Sequence, residues 1–281
     1  IVASYVNYHR IVRLGWGWFW LLAAVAIIAA LKTPLAHSEL GATRWIKLGP
    51  VSFQAAEPIK AAIIIFFAYY VSYWGLNRWY NQLLACLLAI ALLGFLFFFS
   101  NNLSTVIVLF CICAVIILSS VKKPDLYWYF LLGLALIIIA AIFVTVYLLM
   151  HQGAENFRFV RIRAWLHPEE YAADEGLQAM QARYAIGAGG FWGKGLGQSL
   201  IKFKLSYSYN DFILAIICEE LGVFGVIVMM TLFGYLLYRI YKIAQNAWDI
   251  EGKVLAIGVF TQIALQLLIN VMVCLLYTSD A

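Results

Sequence analysis

Residues 183–225 read RYAIGAGGFWGKGLGQSLIKFKLSYSYNDFILAIICEELGVFG, and the passage from polar glycine-rich segment to apolar run within this stretch decides the fold. The change falls at Asn210-Asp211, after which an uninterrupted hydrophobic sequence carries only Glu219 and Glu220 as charges. Residues 176–210 contain Arg183, Lys194, Lys202 and Lys204 and no acidic residue. Asp211 is therefore a carboxylate at the end of a basic surface segment and at the start of a membrane helix, a place suited to an anionic, lipid-linked substrate.

Working outward, the rest of the chain supplies the membrane. It has 281 residues, of which 65% are hydrophobic and 12% charged, with a mean hydropathy of +0.89. Water-soluble domains carry roughly 25% charged residues, so a soluble fold is excluded. A hydrocarbon core about 30 Å thick takes about 20 apolar residues as a helix, and segments 14–31, 61–76, 83–99, 103–121, 126–150, 212–238 and 254–276 meet that need. The expected fold is all-α: a polytopic membrane helix bundle with about seven transmembrane helices and one large extracytoplasmic loop, 151–210. Cys86, Cys111, Cys113, Cys218 and Cys274 all lie in apolar runs without ligand-like spacing to histidine. They read as small hydrophobes, and no metal site is inferred.

Lys and Arg in short loops set the orientation. With the N-terminus cytoplasmic, Arg10, Arg13, Arg78, Lys122, Lys123, Arg239, Lys242 and Lys253 face inward, against Lys32, Arg44 and Lys47 in the outer short loops. Loops 32–54 and 151–210 then share the outer face. Arginines and lysines beside tryptophan there (Arg44-Trp45, Lys47, Trp192, Lys194) suit headgroup level, where a plain aromatic belt is the competing explanation.

The segment 187–197, GAGGFWGKGLG, is no nucleotide loop. A Walker motif needs glycine at Ala188 and Ser or Thr at Gly195, and Trp192 and Gln198 occupy the third-glycine positions of GxGxxG. Its glycines give a backbone able to approach a neighbour closely. Glu57 and Lys60, at i,i+3 spacing, can pair on one helix face; charges at that depth mark function unless they serve a structural ion pair. Glu219 and Glu220 lie about 12 Å along a helix from Asp211 at 1.5 Å per residue, so they form no short carboxylate pair with it, and one is expected to satisfy a neighbouring helix. Gln266 and Asn270, four apart, are read as interhelical hydrogen-bonding residues.

These residues resemble the SEDS family of bacterial membrane proteins (shape, elongation, division and sporulation), the RodA and FtsW group. Residues 42–57, ATRWIKLGPVSFQAAE, are similar to the family's ARRWIxLGPxSFQPSE, and residues 183–225 to its IGSGGLxGKGLG…(N/T)DFIFAIxGEELGxxG. QLLIN at 266–270 resembles a later family segment. Where the family has QPDLGT, residues 100–105 read SNNLST and lack the Pro and Asp. The family has about ten membrane helices. The chain is accordingly expected to be a fragment, with residues 1–274 a SEDS-type membrane domain lacking the first two and the last helices. Residues 275–281 resemble a translated sequencing-adapter read-through.

The resemblance implies an inverting peptidoglycan glycosyltransferase of the bacterial inner membrane, active on its outer face. It would polymerise lipid II into a nascent glycan strand alongside a class B penicillin-binding protein; membrane lipid is the other expected contact, and nucleic acid is not one. Asp211 is the expected general base. Arg44, Trp45, Lys47, Gln54, Glu57, Lys60, Lys194 and Lys202 are the expected substrate-binding residues, and Glu219, Glu220, Gln266 and Asn270 are structural with a functional role open. No cofactor is required, although a divalent cation could bridge Asp211 and a pyrophosphate. Two other readings compete: a flippase or transporter for a lipid-linked precursor, favoured by charges inside membrane helices, and a structural scaffold in which Asp211 is dispensable.

Overall fold

Long apolar sequence without internal proline leaves the helix as the way to satisfy its backbone in hydrocarbon, and helices dominate the computed structural model. It describes residues 8–12, 16–33, 36–39, 42–48, 51–100, 103–121, 177–199 and 213–275. In chain order these form α1 (Tyr8–Val12), α2 (Trp16–Ala30), β1 (Ala36–Glu39), β2 (Ala42–Leu48), β3 (Val51–Gln54), α3 (Ala56–Trp74), α4 (Trp79–Ser100), α5 (Leu103–Ser120), α6 (Leu177–Gly189), α7 (Ile213–Asn246) and α8 (Ile250–Leu275). Among the described residues three helices are long and apolar enough to cross a membrane: α4, α7 and, within α8, Ile250–Met272. α2 and Ser104–Ser120 of α5 are shorter apolar helices. The expected span at 126–150, most of the expected loop 151–210, and Asp211 and Lys202 fall outside the described residues.

The chain divides into two units, Ile1–Leu131 with Leu237–Leu265, and Leu132–Leu236 with Gln266–Ala281. In the first, α3 is the central element: Ile59, Ile63, Phe66, Phe67 and Tyr70 are fully buried. Gly17 of α2 lets this packing close, because a Cβ there would sit 2.1 Å from the Tyr69 ring. Gly258 of α8 does the same against Ile64 of α3, at 2.5 Å. The carbonyls left open at the end of α3 are capped from α4. Asn81 Nδ2 donates to the carbonyls of Trp74 (2.8 Å) and Gly75 (3.1 Å), and Gln82 Nε2 donates to that of Leu76 (2.6 Å). Orphan carbonyls at a helix end need such partners when water is remote.

Two expectations are corrected. The all-α class is broken at 36–54, read as a loop, by a three-stranded antiparallel sheet in the order β1-β2-β3. Its backbone groups pair strand to strand, and Ile46 is buried in the core of the first unit with Phe53 packed against that core. Charges at Arg44 and Lys47 had hidden the extended pattern. Within the expected loop 151–210, Leu177–Gly189 form the helix α6, whose alanines and glutamines are good helix formers. In the second unit Ala182 and Ala185 of α6 pack with Leu214 and Ala215 of α7, flanked by Val226, Met229 and Val271.

Candidate functional site

The site is built on a break in α7. Gly222 has φ 67° and ψ −171°, outside the helical region. An α-helix bonds each amide to the carbonyl four residues earlier, so this break separates the amides of Val223 and Phe224 from the carbonyls of Glu219 and Glu220. All four groups are taken up by the glycine-rich segment after α6. Lys194 N–H donates to the Glu219 carbonyl (2.9 Å) and Gly195 N–H to that of Glu220 (3.0 Å). In return Val223 N–H donates to the Gly190 carbonyl (3.1 Å) and Phe224 N–H to that of Phe191 (3.2 Å). Buried backbone groups are almost always paired, and the break and the loop each make the other tenable.

Such an exchange needs backbone against backbone, which is why glycines crowd this segment. A Cβ on Gly193 would lie 2.3 Å from the Glu220 carbonyl oxygen, and one on Gly222 would lie 2.4 Å from the Gly193 nitrogen and the Phe191 oxygen. At Gly189 it would lie 1.9 Å from the Cys218 oxygen. Gly190, Gly193, Gly195 and Gly197 also adopt positive φ, a region open to glycine.

Side chains fasten the same contact. Glu219 is fully buried; its Oε1 accepts from Lys194 Nζ at 2.8 Å and its Oε2 from Ser199 Oγ at 2.5 Å. The Lys194 side chain keeps 33% of its surface exposed. The ammonium is thus held by the carboxylate, on a side chain that stays partly open to its surroundings. Phe191, Trp192 and Leu196 are exposed around it, an apolar rim that suits an interfacial depth. Chemically the arrangement is a fixed loop presenting one cation and ring faces.

The remaining expected residues sort into their units. Arg44, Trp45 and Lys47 lie on β2 and Gln54 ends β3, and the strand register brings Trp45 opposite Gln54. Glu57 and Lys60 open α3 and form an ion pair of 2.8 Å, with Lys60 buried and Glu57 half exposed. These six belong to the first unit, while Lys194, Glu219 and Glu220 belong to the second. Of the two glutamates, one of which was expected to satisfy a neighbouring helix, Glu219 is bound by Lys194 and Ser199 of the loop. Glu220 Oε1 and Asn270 Oδ1 are buried and without a hydrogen-bond partner among the described residues, so Asn270 does not make through that oxygen the interhelical bond read from its spacing with Gln266.

Ser199 and the Gly222 break were missed; the GxxG of 222–225 was the available signal. Also missed is a cluster at the start of α8, where Asp249 accepts from Tyr8 (2.8 Å) and from the Gly252 amide (2.8 Å). Glu251 meets His9 Nδ1 (2.9 Å) and Ser72 Oγ (3.2 Å) there. Asp-Ile-Glu-Gly at 249–252 carries a helix N-cap signal.

Comparison with known proteins gives the lineage. The family described as cell cycle protein (FtsW, RodA, SpoVE) matches residues 2–276. The chain is 30% identical over 258 residues to the probable peptidoglycan glycosyltransferase FtsW of Trichlorobacter lovleyi, covering 90% of this chain and 64% of that protein. It is 43% identical over 116 residues to stage V sporulation protein E of Bacillus subtilis, covering 41% of this chain and 32% of that one. Across the first three curated relatives it spans 60% to 64% of their length. A chain in the solved structure of a peptidoglycan synthase complex superposes with a TM-score of 0.77 at 20% identity, over 98% of this chain and 74% of that chain. RodA of Thermus thermophilus superposes at 0.63 and 20% identity, over 98% and 70%. The fold is shared with both, and the protein is an integral membrane protein that belongs to the FtsW, RodA and SpoVE family of cell cycle proteins.

Proposed function

We propose that the chain is the larger part of a peptidoglycan glycosyltransferase that joins lipid II units into glycan at the outer leaflet of the bacterial inner membrane, beside a class B penicillin-binding protein. The observation that carries this reading is the fastening of the loop 189–199 onto α7. That fixes a basic, aromatic-rimmed segment against the very helix whose sequence begins two residues after Asp211. In the reaction the acceptor sugar hydroxyl loses a proton as it attacks the anomeric carbon, and the bond to a lipid pyrophosphate breaks. A single carboxylate base and cations facing the pyrophosphate suffice for such an inverting displacement. Asp211 takes the proton. Arg44, Lys47, Lys194 and Lys202 offer the cations, with Trp45 and Gln54 on paired strands beside them in sequence.

The span count of about seven, with the N-terminus cytoplasmic and loops 32–54 and 151–210 outside, belongs to the same reading and rests on the Lys and Arg bias. The flippase reading rested on Glu57, Lys60, Glu219 and Glu220; three of these sit in ion pairs of 2.8 Å, Glu57 with Lys60 and Glu219 with Lys194, which weakens it, while Glu220 Oε1 is buried without a hydrogen-bond partner among the described residues. Asp211→Asn is the decisive variant. Asparagine caps a helix about as well as aspartate but cannot accept a proton, so glycan synthesis from purified lipid II by the full-length protein should fall at least about 10²-fold with an unchanged Tm. A folded variant working at the wild-type rate would return Asp211 to the role of a cap.

A further inference from the structure

The apolar span of α8 begins at Ile250, so the connection 247–249 just before it lies at headgroup depth. The end of α7 and the start of α8 line an open groove of about 1200 Å³ whose lining residues all belong to the first unit. Leu255, Ala256 and Val259 line it within the apolar span of α8. Arg239 and Lys242 line it from the last turns of α7, beside Tyr241, whose ring lies 6.3 Å from that of Phe260 on α8; Asp249 lines it at the start of α8, next to the fully exposed Trp248, and Lys242 Nζ lies 5.8 Å from the centre of the Tyr238 ring.

We infer that this groove binds one phospholipid whose headgroup carries both a phosphate and a primary ammonium, as phosphatidylethanolamine does. The apolar wall lies at a depth reached by an acyl chain and not by a soluble metabolite. Arg239 and Lys242 complement the phosphate; both are donors only, and arginine can grip phosphate oxygens in pairs. Asp249 decides between headgroups. Its two oxygens already accept from Tyr8 and Gly252, which fix its position, and each oxygen retains a lone pair for an ammonium hydrogen. A glycerol headgroup brings no cation to that carboxylate, and a choline headgroup brings one without a hydrogen to donate. The inference rests on neither Asp211 nor glycosyl transfer.

The test is competitive retention. The full-length protein is equilibrated in mixed micelles holding equal amounts of phosphatidylethanolamine, phosphatidylcholine and phosphatidylglycerol of one acyl composition, then repurified, and the co-purifying lipid is quantified by mass spectrometry. Phosphatidylethanolamine should be enriched about tenfold over phosphatidylcholine, the factor given by one charge-assisted hydrogen bond. Asp249→Asn should erase that preference while leaving total phospholipid unchanged. Arg239→Gln with Lys242→Gln, exposed polar changes that leave the helix intact, should lower retention of all three lipids, and Ala256→Trp should do so by filling the groove. Each variant is compared at matched Tm. Phosphatidylglycerol retained as strongly as phosphatidylethanolamine, or retention unmoved by the Arg239 and Lys242 changes, would overturn the assignment.

Discussion

The two units each contain a lysine–glutamate pair of 2.8 Å, and the pairs are mirror images in burial. In Glu57–Lys60 the cation is buried (5% exposed) and the carboxylate is half in solvent (49%). In Lys194–Glu219 the carboxylate is fully buried and the lysine is one-third exposed (33%). The first pair is three residues apart on one helix. The second joins residues 25 apart and locks a loop to a broken helix, with Ser199 and four backbone hydrogen bonds beside it. Equal distances therefore describe unequal jobs: one pair lets a lysine lie inside a bundle, and the other holds the candidate site in shape.

The break in α7 offers the largest effect. Gly222→Ala puts a Cβ at positive φ and within 2.4 Å of the loop backbone, where neither side can yield without losing the exchanged hydrogen bonds. Stability should fall by more than about 3 kcal/mol, read as a lowered Tm with loss of monodisperse protein. Gly197→Ala is the control. It also has positive φ but nothing within 4 Å of the added carbon, so it should cost only about 1 kcal/mol. Equal losses at the two glycines would mean that the close approach contributes nothing.

The mirror-image pairs come next, and the costly partner should switch between them. Removing one member of a buried pair is expensive when it strands the other's charge away from water. Lys194→Met strands the buried Glu219 and should cost about 3 kcal/mol, whereas Glu219→Gln leaves a partly solvated lysine and should cost about 1 kcal/mol. In α3 the order reverses. Glu57→Gln strands Lys60, at about 2 kcal/mol, and Lys60→Met leaves a half-solvated carboxylate at less than about 1 kcal/mol. Thermal unfolding of the four variants in one detergent measures the ranking, and the same ranking in both pairs would erase the distinction drawn between them.

What the sequence made legible follows the same division. Long apolar runs announced α2, α4, α5, α7 and α8, because hydrocarbon leaves the backbone few alternatives. Glu57–Lys60 was legible as a local pair, since i,i+3 spacing is a property of one helix. The sheet at 36–54 was not, because Arg44 and Lys47 interrupt the apolar pattern of strands that pair with their own neighbours in sequence. Nor was Glu219's partner legible: Lys194 and Ser199 reach it where Gly222 opens the helix, and the paired glycines of 222–225 do not by themselves announce φ 67°. The glycines of 187–197 were read for close approach without a target, and the target proved to be the carbonyls of Glu219 and Glu220.

Gly17 sharpens the glycine contrast from the first unit. Its added Cβ would meet a buried Tyr69 ring at 2.1 Å, a side chain rather than a backbone, and no positive φ is involved. Gly17→Ala should therefore cost about 2 kcal/mol of overpacking, less than Gly222→Ala. Tyr69→Leu in the same chain should recover part of that loss if the clash is with the ring. A Tm for Gly17→Ala below that of Gly222→Ala would reverse the ordering of the two units.

The smallest effect belongs to Asp249, which combines a local and a distant partner on one carboxylate. Partial burial works to raise its pKa, but the Gly252 amide, the Tyr8 hydroxyl and nearby His9 outweigh burial and hold it below the ordinary aspartate value. A carboxyl with a depressed folded-state pKa contributes stability in full above its unfolded value of about 3.9, and loses that contribution as pH falls through the folded one. Between pH 7 and about 5 the contribution should be flat. It should shrink only below about pH 4, and because the group is largely solvated it should amount to less than about 1 kcal/mol. Separating its halves extends the contrast between near and far contacts. Tyr8→Phe removes the partner 241 residues away and should raise the pKa of Asp249 in a titration followed by carboxylate infrared absorption, while the Gly252 amide keeps part of the depression. Were Tyr8→Phe to leave the titration unmoved, the local amide alone would hold Asp249, and distant contacts at this end of the chain would count for less than those that lock the loop onto α7.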